Sequence, residues 1–137
     1  MTLETDLIVP SFPDNPSNNF IKSIYKLNQQ NTPEVGSLSS EEELKSLIKM
    51  SSCCLYVSSQ TIIVGFIICL REGSKYTSKN YNFFTKKFSK FLYIDRIAIE
   101  SSYRRTGIGK KIYSEIDNST SLFKDALKTR KLVLDKS

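Results

Sequence analysis

Residues 97–111 read IAIESSYRRTGIGKK. The segment begins with alternating apolar residues typical of a strand, crosses a short polar turn and continues into a helix. Ile108, Ile112 and Ile116 recur every four residues and give that helix one apolar face. Gly107 and Gly109 fall in its first turn, although glycine destabilises a helix interior by about 0.5–1 kcal/mol. The sequence therefore predicts a strand–turn–helix unit whose turn needs an open backbone.

The spacing Arg-x-x-Gly-x-Gly at the start of a helix is suited to holding phosphate. Glycines remove the Cβ atoms that would block an oxygen, and the first turn offers unpaired N–H groups with a partial positive charge. Full positive charges flank the turn on Arg104, Arg105, Lys110 and Lys111. The pattern is neither a Walker A loop nor a dinucleotide-binding fingerprint, since the further residues of both motifs are missing. The alternative is a helix start in which the glycines serve only close packing.

Positive charge is concentrated around this motif. The whole chain carries +6, whereas residues 71–111 hold eleven Lys and Arg against three Asp and Glu, a balance of +8. Such a patch indicates an anionic partner, and a solvated lysine face is the simpler explanation.

The composition excludes several kinds of site. The 137 residues include no histidine, which excludes a Ser-His-Asp triad, a Cys-His pair and zinc sites that use histidine. Cys53, Cys54 and Cys69 form no CxxC unit and leave an odd thiol, so no disulfide framework is expected. The longest apolar run, residues 61–70, is too short to cross a bilayer as a helix, and no secretory signal is visible. We expect a soluble cytoplasmic domain without a membrane partner.

The N-terminal part predicts a leader followed by two helices. Residues 1–19 carry three of the four prolines and are expected to form a flexible leader, which places the domain at 20–137. Apolar spacing predicts a helix over 20–28, with a strand as the alternative. A second helix is predicted over 41–50, capped by Ser39 or Ser40.

Further runs rich in β-branched and aromatic residues predict strands at 53–57, 61–70, 91–99 and 131–135. The first two form an antiparallel hairpin around a short polar turn. The predicted fold class is α/β or α+β, with a mixed, mostly antiparallel sheet flanked by helices. The ligand would lie at the end of the strand 91–99.

Residues 73–90 form an insertion rich in aromatic residues and lysine. It is interpreted as a substrate lid, as a stacking surface for single-stranded nucleic acid, or as an amphipathic helix that packs Phe84, Phe88 and Phe91 into the core. We favour core packing with a lid at the tip. The stacking surface would support an alternative function, a non-catalytic basic nucleic-acid-binding module.

Residues 99–109 resemble the strongest motif of the GNAT superfamily of acetyl-CoA-dependent N-acetyltransferases, Val-x-Pro-x-Tyr-Arg-Gly-Lys-Gly-Ile-Gly. Ser101 replaces the usual proline, and Arg105 and Thr106 replace Gly-Lys. The predicted hairpin, with Val-Gly-Phe at residues 64–66 in its second strand, also resembles the second and third strands of that family. Over residues 20–135 the chain is similar to a poorly characterised branch of predicted acetyltransferases.

The resemblance implies an enzyme that transfers acetyl from acetyl-CoA to a primary amine of a small molecule or peptide. It implies that the backbone of Ile97, Ala98 and Ile99 pairs with the pantetheine arm of the coenzyme. The pyrophosphate would be held by amides of the turn, those of Arg105, Thr106, Gly107, Ile108 and Gly109, with Lys110 or Arg104 at other phosphates. No metal is implied.

A complete family member continues past its fifth strand into a helix and two more strands, and that helix often supplies a tyrosine or asparagine beside the sulfur. The present sequence ends at Ser137, directly after the predicted strand 131–135. From the resemblance we expect an incomplete C-terminus and weak or absent transfer. We also expect the exposed edge of that strand to promote self-association.

Transfer requires a base, because only a neutral amine attacks a thioester carbonyl. Asp95, in the strand beside the cleft, is the first candidate, and Glu72, at the end of the preceding strand, is the second. Asp95 has an equally simple structural explanation as the ion-pair partner of Arg96.

Overall fold

A computed structural model describes residues 8–118. This part of the chain contains four α-helices and three strands, with a short 3-10 turn at Ser101–Tyr103 before the last helix. In chain order they are α1 (Asn18–Gln30), α2 (Glu41–Met50), β1 (Cys53–Ser59), β2 (Ile62–Arg71), α3 (Lys79–Lys87), β3 (Leu92–Ile99) and α4 (Ile108–Asn118). The α+β class is confirmed, and so are the predicted helices and the strands up to residue 99, with small shifts at their ends.

The sheet has the order β1-β2-β3 and is antiparallel throughout the described residues. The predicted hairpin is confirmed, although β1 extends through Ser59 and the turn is confined to Gln60 and Thr61. Gln60 adopts a φ of 58°, as tight turns require. In β3 the register shifts at Asp95, because Ile68 is opposite Arg96 whereas Cys69 is opposite Ile94. Asp95 is therefore a bulged residue in the middle of the strand.

The two faces of the sheet are covered by different helices. On one face α4 packs so closely that a Cβ at Gly65 would lie 3.2 Å from Ile108 Cγ2 and 3.5 Å from Ile112 Cδ1. On the other face α1 lies within hydrogen-bond reach of Arg96, whose neighbour across the sheet is Ile68. Because Gly65 has no side chain, the first turn of α4 sits directly on β2 beside the end of β3.

The first three helices begin at serines. The hydroxyl of Ser17 accepts from the Phe20 amide, and Ser40 and Ser78 cap α2 and α3 in the same way. For α2 the cap is thus Ser40 rather than Ser39, whose amide donates back to the Glu43 carboxylate at 2.9 Å. Each cap satisfies an amide that would otherwise lack an acceptor at the helix start.

The insertion predicted at 73–90 contains α3, and its core-packing interpretation is confirmed. Tyr81, Phe84 and Phe91 are buried, and Tyr76 and Phe88 pack against the same core. Their rings meet mostly edge to face, for example Tyr81 and Tyr93 with centroids 5.6 Å apart. These rings are not available to stack on nucleic-acid bases, and the exposed ring of the segment is that of Phe83, with Lys87 Nζ 5.3 Å from its centroid.

The expectation of a flexible leader is wrong for its described part. Ser11 forms an isolated antiparallel bridge with Leu55, the Phe12 amide donates to Cys54 O at 2.9 Å, and Val9 and Phe12 are buried. Apolar side chains and free backbone groups at the edge of β1 outweigh the proline content here. The predicted strand at 131–135, and the self-association expected through it, lie outside the described residues.

The close approach at Gly65 gives a test of this packing. Gly65→Val should lower the free energy of unfolding by about 1–3 kcal/mol, because a branched side chain would have to displace Ile108 and Ile112. Denaturant unfolding measures this difference.

Gly36→Ala is the control, since a Cβ there would meet only Arg96 Nη2 at an ordinary 3.9 Å. Equal losses in the two variants would contradict the assigned packing of α4 on β2.

Candidate functional site

The connection from β3 to α4 is held by its own backbone and side chains. The Glu100 amide donates to Val64 O at 2.8 Å, and the Glu100 carboxylate accepts from the Ser102 amide at 3.0 Å. The Tyr103 hydroxyl donates to Ser59 Oγ at 3.0 Å, and the Thr106 hydroxyl donates to Tyr103 O. These bonds fix the loop against the β1–β2 turn, so that α4 begins at a defined place.

Two residues of this loop have positive φ angles. Gly107 has a φ of 96° and Arg105 a φ of 64°. Glycine tolerates this region, whereas a side chain there costs on the order of 1–3 kcal/mol and such residues cluster at functional sites. The glycine at position 109 is explained by close packing instead, since a Cβ there would lie 3.2 Å from Ile99 Cδ1. The close-packing explanation thus applies to Gly109, and the backbone explanation to Gly107.

The N-terminus of α4 differs from those of α1, α2 and α3. Gly107 O accepts from the Lys111 amide at 3.0 Å, which makes Gly107 the capping residue, and it has no side chain that could cap the helix. The amides of Ile108, Gly109 and Lys110 come before that of Lys111, which is the first amide with an acceptor inside the helix. They leave a partial positive charge at an exposed helix end, which is suited to an anion.

The backbone of β3 offers a second row of polar groups. Because Glu100 donates to Val64 O, the alternation of an antiparallel ladder turns the backbone of Ala98 toward β2 as well. The N–H and C=O groups of Ile97 and Ile99 therefore point away from β2, and within residues 8–118 no strand follows on that side. The pairing predicted for Ala98 is corrected, since its backbone is directed at β2.

Positive side chains surround the helix end. Arg105 and Lys110 are exposed, and Lys111 lies 3.5 Å from Glu115 on the next turn of α4. Arg104 is exposed too, but its Nη2 donates to Asn31 Oδ1 at the end of α1, at 2.8 Å. One of its five donors is thus used to join the loop to α1, and the remaining donors stay on the exposed side.

Asp95 sits in a polar cluster at the bulge of β3. Arg96 Nε donates to Asp95 Oδ2 at 2.7 Å, and the two side chains are only 8% and 5% exposed. Tyr76 lies beside this pair, and burial together with the Asp95 charge raises the pKa of Tyr76 to about 12. The ion pair expected as the structural explanation is therefore present, and Tyr76 lies between Asp95 and a pocket.

Glu72 lies near the first residue of β3, at the opposite end of that strand from the start of α4. Its carboxylate accepts from Arg71 Nε at 2.9 Å and from the Phe91 amide at 3.0 Å. Burial raises the pKa of Glu72, but these hydrogen bonds outweigh burial and hold it below its ordinary value. Arg71 is opposite Leu92, so Glu72 and Asp95 are separated along β3 by roughly 10 Å. The structure does not bring the two candidate bases together.

Two cavities lie near the residues described above. A groove of about 430 Å³ separates α1 from the start of β2, beside Glu100 and Tyr103. A pocket of about 190 Å³ lies between α2 and the segment after β2, lined by Leu38, Glu43 and Tyr76 among others. The groove is at the helix end of β3, and the pocket is at the bulge.

The cysteines are not suited to nucleophilic chemistry. Cys53, Cys54 and Cys69 form no disulfide, and Cys69 is fully buried. Burial raises the pKa of Cys53 to about 11 and that of Cys54 to about 12, which keeps both thiols protonated at neutral pH. Among the described residues no group of His, Cys, Asp or Glu could hold a metal ion.

Sequence analysis missed the residues that join α1 to this site. Asn28 is fully buried and Asn31 nearly so, and both bond to arginines of β3 or of the loop after it. A signal for Asn28 was present, because it follows Ile24 by four residues and thus lies on the apolar face of α1. A polar residue on such a face requires a buried partner.

A family model described as "Acetyltransferase (GNAT) family" matches residues 21–119, which is more than half of the sequence. The chain belongs to the GNAT acetyltransferase family. In this GNAT chain the matched segment contains β3, the start of α4 at Gly107 and the candidate bases Glu72 and Asp95. No curated protein matches the chain.

Solved structures share the GNAT fold at low sequence identity. An aminoglycoside 6'-N-acetyltransferase complexed with coenzyme A is 18% identical, with a TM-score of 0.60, and the match covers 81% of this chain and 53% of that one. An aminoglycoside acetyltransferase from an uncultured soil metagenomic sample, in complex with sisomicin, is 18% identical with a TM-score of 0.56. The match covers 93% of this chain and 86% of that one. The NatC complex bound to Gag peptide and CoA is 18% identical with a TM-score of 0.56, and the match covers 83% of this chain and 67% of that one. The GNAT chain thus spans about half the length of the first of these proteins.

The contacts of Glu72 predict how stability depends on pH. Because the folded pKa lies below the unfolded one, the carboxylate contributes stability above about pH 4.5, and this contribution is lost as the pH falls through the folded pKa. Glu72→Gln should therefore lower the melting temperature at pH 7, and the gap to the wild type should narrow toward pH 3. A gap that stays constant over this range would show that the charge is not what stabilises the contact.

Proposed function

We propose that the chain binds acetyl-CoA at the junction of β3 and α4 and transfers the acetyl group to a primary amine of a small molecule or peptide. The observation that carries this proposal is the helix start at Gly107, where the first amides of α4 have no helical acceptor and follow closely on a strand with outward backbone groups. Family membership supplies the reaction class.

The residues present fit the coenzyme. The amides from Arg105 to Gly109, with the charges of Arg104, Arg105 and Lys110 around them, are suited to phosphates. The outward N–H and C=O groups of Ile97 and Ile99 are suited to the two amide groups of a pantetheine arm. We place this arm along β3, running from the helix end toward the bulge at Asp95.

Acetyl-CoA, when bound, supplies the thioester that donates the acetyl group. Asp95 is our first candidate for removing the amine proton, and its carboxylate connects to the pocket through the Tyr76 hydroxyl. A proton taken up at the Tyr76 oxygen would be accompanied by transfer of the phenol proton to Asp95. Glu72 is the second candidate, although its oxygens are already engaged by Arg71 and Phe91.

The ligands of structural relatives support a proposal for the acceptor class. Proteins of this fold include one solved with sisomicin and one solved with a peptide. We therefore propose an amine on an aminoglycoside-like molecule or on a peptide as the acceptor, and the cytoplasm as the location. Within residues 8–118, no helix is both long enough and apolar enough to pass through a lipid bilayer.

Isothermal titration with CoA tests the binding site. Gly107→Asp should weaken binding by about 100-fold or more, because it adds a side chain and a negative charge at the helix start. Gly73→Asp is a matched control, since Gly73 also has a positive φ, 83°, and a Cβ there would meet nothing within 4 Å. It should leave the CoA affinity within about twofold of the wild type. Equal losses in both variants, or no binding by the wild type, would overturn the site.

Thiol release from acetyl-CoA tests the transfer. The assay is run with sisomicin, spermidine and a peptide with a free N-terminal amine, at pH 7 to 9. We expect release that depends on one of these amines and rises with pH, since only the neutral amine reacts. If the protein binds CoA but none of these amines increases thiol release from acetyl-CoA, the coenzyme site stands and the proposed acetyl transfer is contradicted.

A further inference from the structure

The buried polar residues of the described segment are Asn28 and Asn31, with 0% and 7% of their surface exposed. Both lie at the C-terminal end of α1. Asn28 Oδ1 accepts from Arg96 Nη1 at 2.9 Å, and Asn31 Oδ1 accepts from Arg104 Nη2 at 2.8 Å. The end of α1 is thus joined to β3 at its bulge and to the loop after β3.

Arg96 makes three hydrogen bonds in three directions. Its Nε donates to Asp95 at 2.7 Å, and its Nη1 donates to Asn28 Oδ1 and to Gly36 O, both at 2.9 Å. The guanidinium is planar and rigid, so these bonds fix the relative positions of the bulge, of α1 and of Gly36. An ammonium group on a lysine could not span the same partners.

Gly36 belongs to the α1–α2 loop, residues 31–40, and this loop is held at two places. Gly36 O accepts a second hydrogen bond from Asn28 Nδ2 at 3.1 Å. The backbone of Leu38 is bound on both sides, because its amide donates to Gln29 Oε1 at 3.0 Å and its carbonyl accepts from the Tyr25 hydroxyl at 3.0 Å. Side chains of α1 and Arg96 therefore determine where the loop lies.

The position of the loop determines one wall of the pocket at the bulge. Leu38 and Tyr76 both line the pocket of about 190 Å³, and Tyr76 is close enough to Asp95, the neighbour of Arg96, for the Asp95 charge to raise the pKa of Tyr76. With the pantetheine arm running along β3 as proposed above, the thioester would lie at this end of the strand. Of the two cavities described above, the pocket is the one nearer this end of the strand, and we place the acceptor there.

We propose that Arg96 is a positioning residue that holds the α1–α2 loop against the bulge of β3 and thereby shapes the acceptor pocket. The proposal rests on the proposed function for the identity of the acceptor, but the mechanical link does not depend on it. The proposal therefore predicts that amine use and coenzyme binding respond differently to loss of the link. Loss of the link should impair use of the amine and loosen the loop, while coenzyme binding at the other end of β3 remains.

A buried ion pair alone would not require this arrangement. Such pairs contribute little net stability, because desolvation offsets most of their attraction. A link that Arg96 makes to two further acceptors adds geometric definition instead. A purely structural role would lower stability without favouring amine use over CoA binding.

Arg96→Lys is the central variant, because it keeps the positive charge beside Asp95 and removes the planar fork. We expect the KM for the amine to rise by about tenfold with a smaller change in kcat. The CoA affinity should stay within about twofold. Hydrogen exchange of the amides in residues 34–38 should become faster, and this readout does not require any turnover.

Asn28→Ala is the second variant, which keeps the Asp95–Arg96 pair and removes the hydrogen bonds that Asn28 makes with Arg96, Gln29 and Gly36. It should speed exchange in the same residues and raise the KM in the same direction, so the proposal stays testable if Arg96→Lys fails to fold. Lys45→Ala is the control, since it removes only an exposed pair with Glu42 on α2. Neither exchange in the loop nor the KM should change in this control.

The outcomes separate this proposal from the proposed function. Failure of the wild type to bind CoA would remove the proposed function, and the loop exchange in Arg96→Lys and Asn28→Ala would then decide the link alone. Unchanged exchange in both variants overturns the proposal. So does a CoA affinity that weakens in step with the KM, because the effect would then be general rather than confined to the acceptor side.

Discussion

The contact between α4 and the sheet at Gly65 is the constraint on which the rest of the site depends. The absence of a side chain at Gly65 lets Ile108 and Ile112 lie directly on β2, and Gly109 lets the same turn approach Ile99. The start of α4 is thereby held at the end of β3, with its free amides in line with the outward backbone of that strand. A bulkier sheet residue would move the helix end away from the strand and separate the two halves of the site.

Much of this arrangement follows from local sequence. The isoleucines of α4, the serine cap of α2 and the β-rich runs of the hairpin each specify an element through nearby residues. These predictions are confirmed, and the strand ends shift by no more than two residues. The Gly107 turn could also be predicted, because no other residue type is so readily accommodated at its φ. The family membership confirms the resemblance that residues 99–109 carry.

Other features depend on contacts between residues far apart in the chain, which a local pattern does not contain. The proline-rich segment before α1 looks like a leader until the edge of β1 is present to pair with Ser11. The bulge at Asp95 arises from the register of β2 against β3, and it turns a candidate base into the buried partner of Arg96 and Tyr76. The links from Asn28 and Asn31 likewise span more than sixty residues.

The central claim, that β3 and the start of α4 together bind the coenzyme through backbone groups, is tested most directly by nuclear magnetic resonance. Amide shifts of the isotopically labelled protein are followed while CoA is added. The account predicts the largest changes at Ile97, Ile99 and residues 105–110, with a smaller change at Ala98, whose amide faces β2. Changes confined to the lysines of α3, or equal changes at Ala98 and its two neighbours, would contradict it.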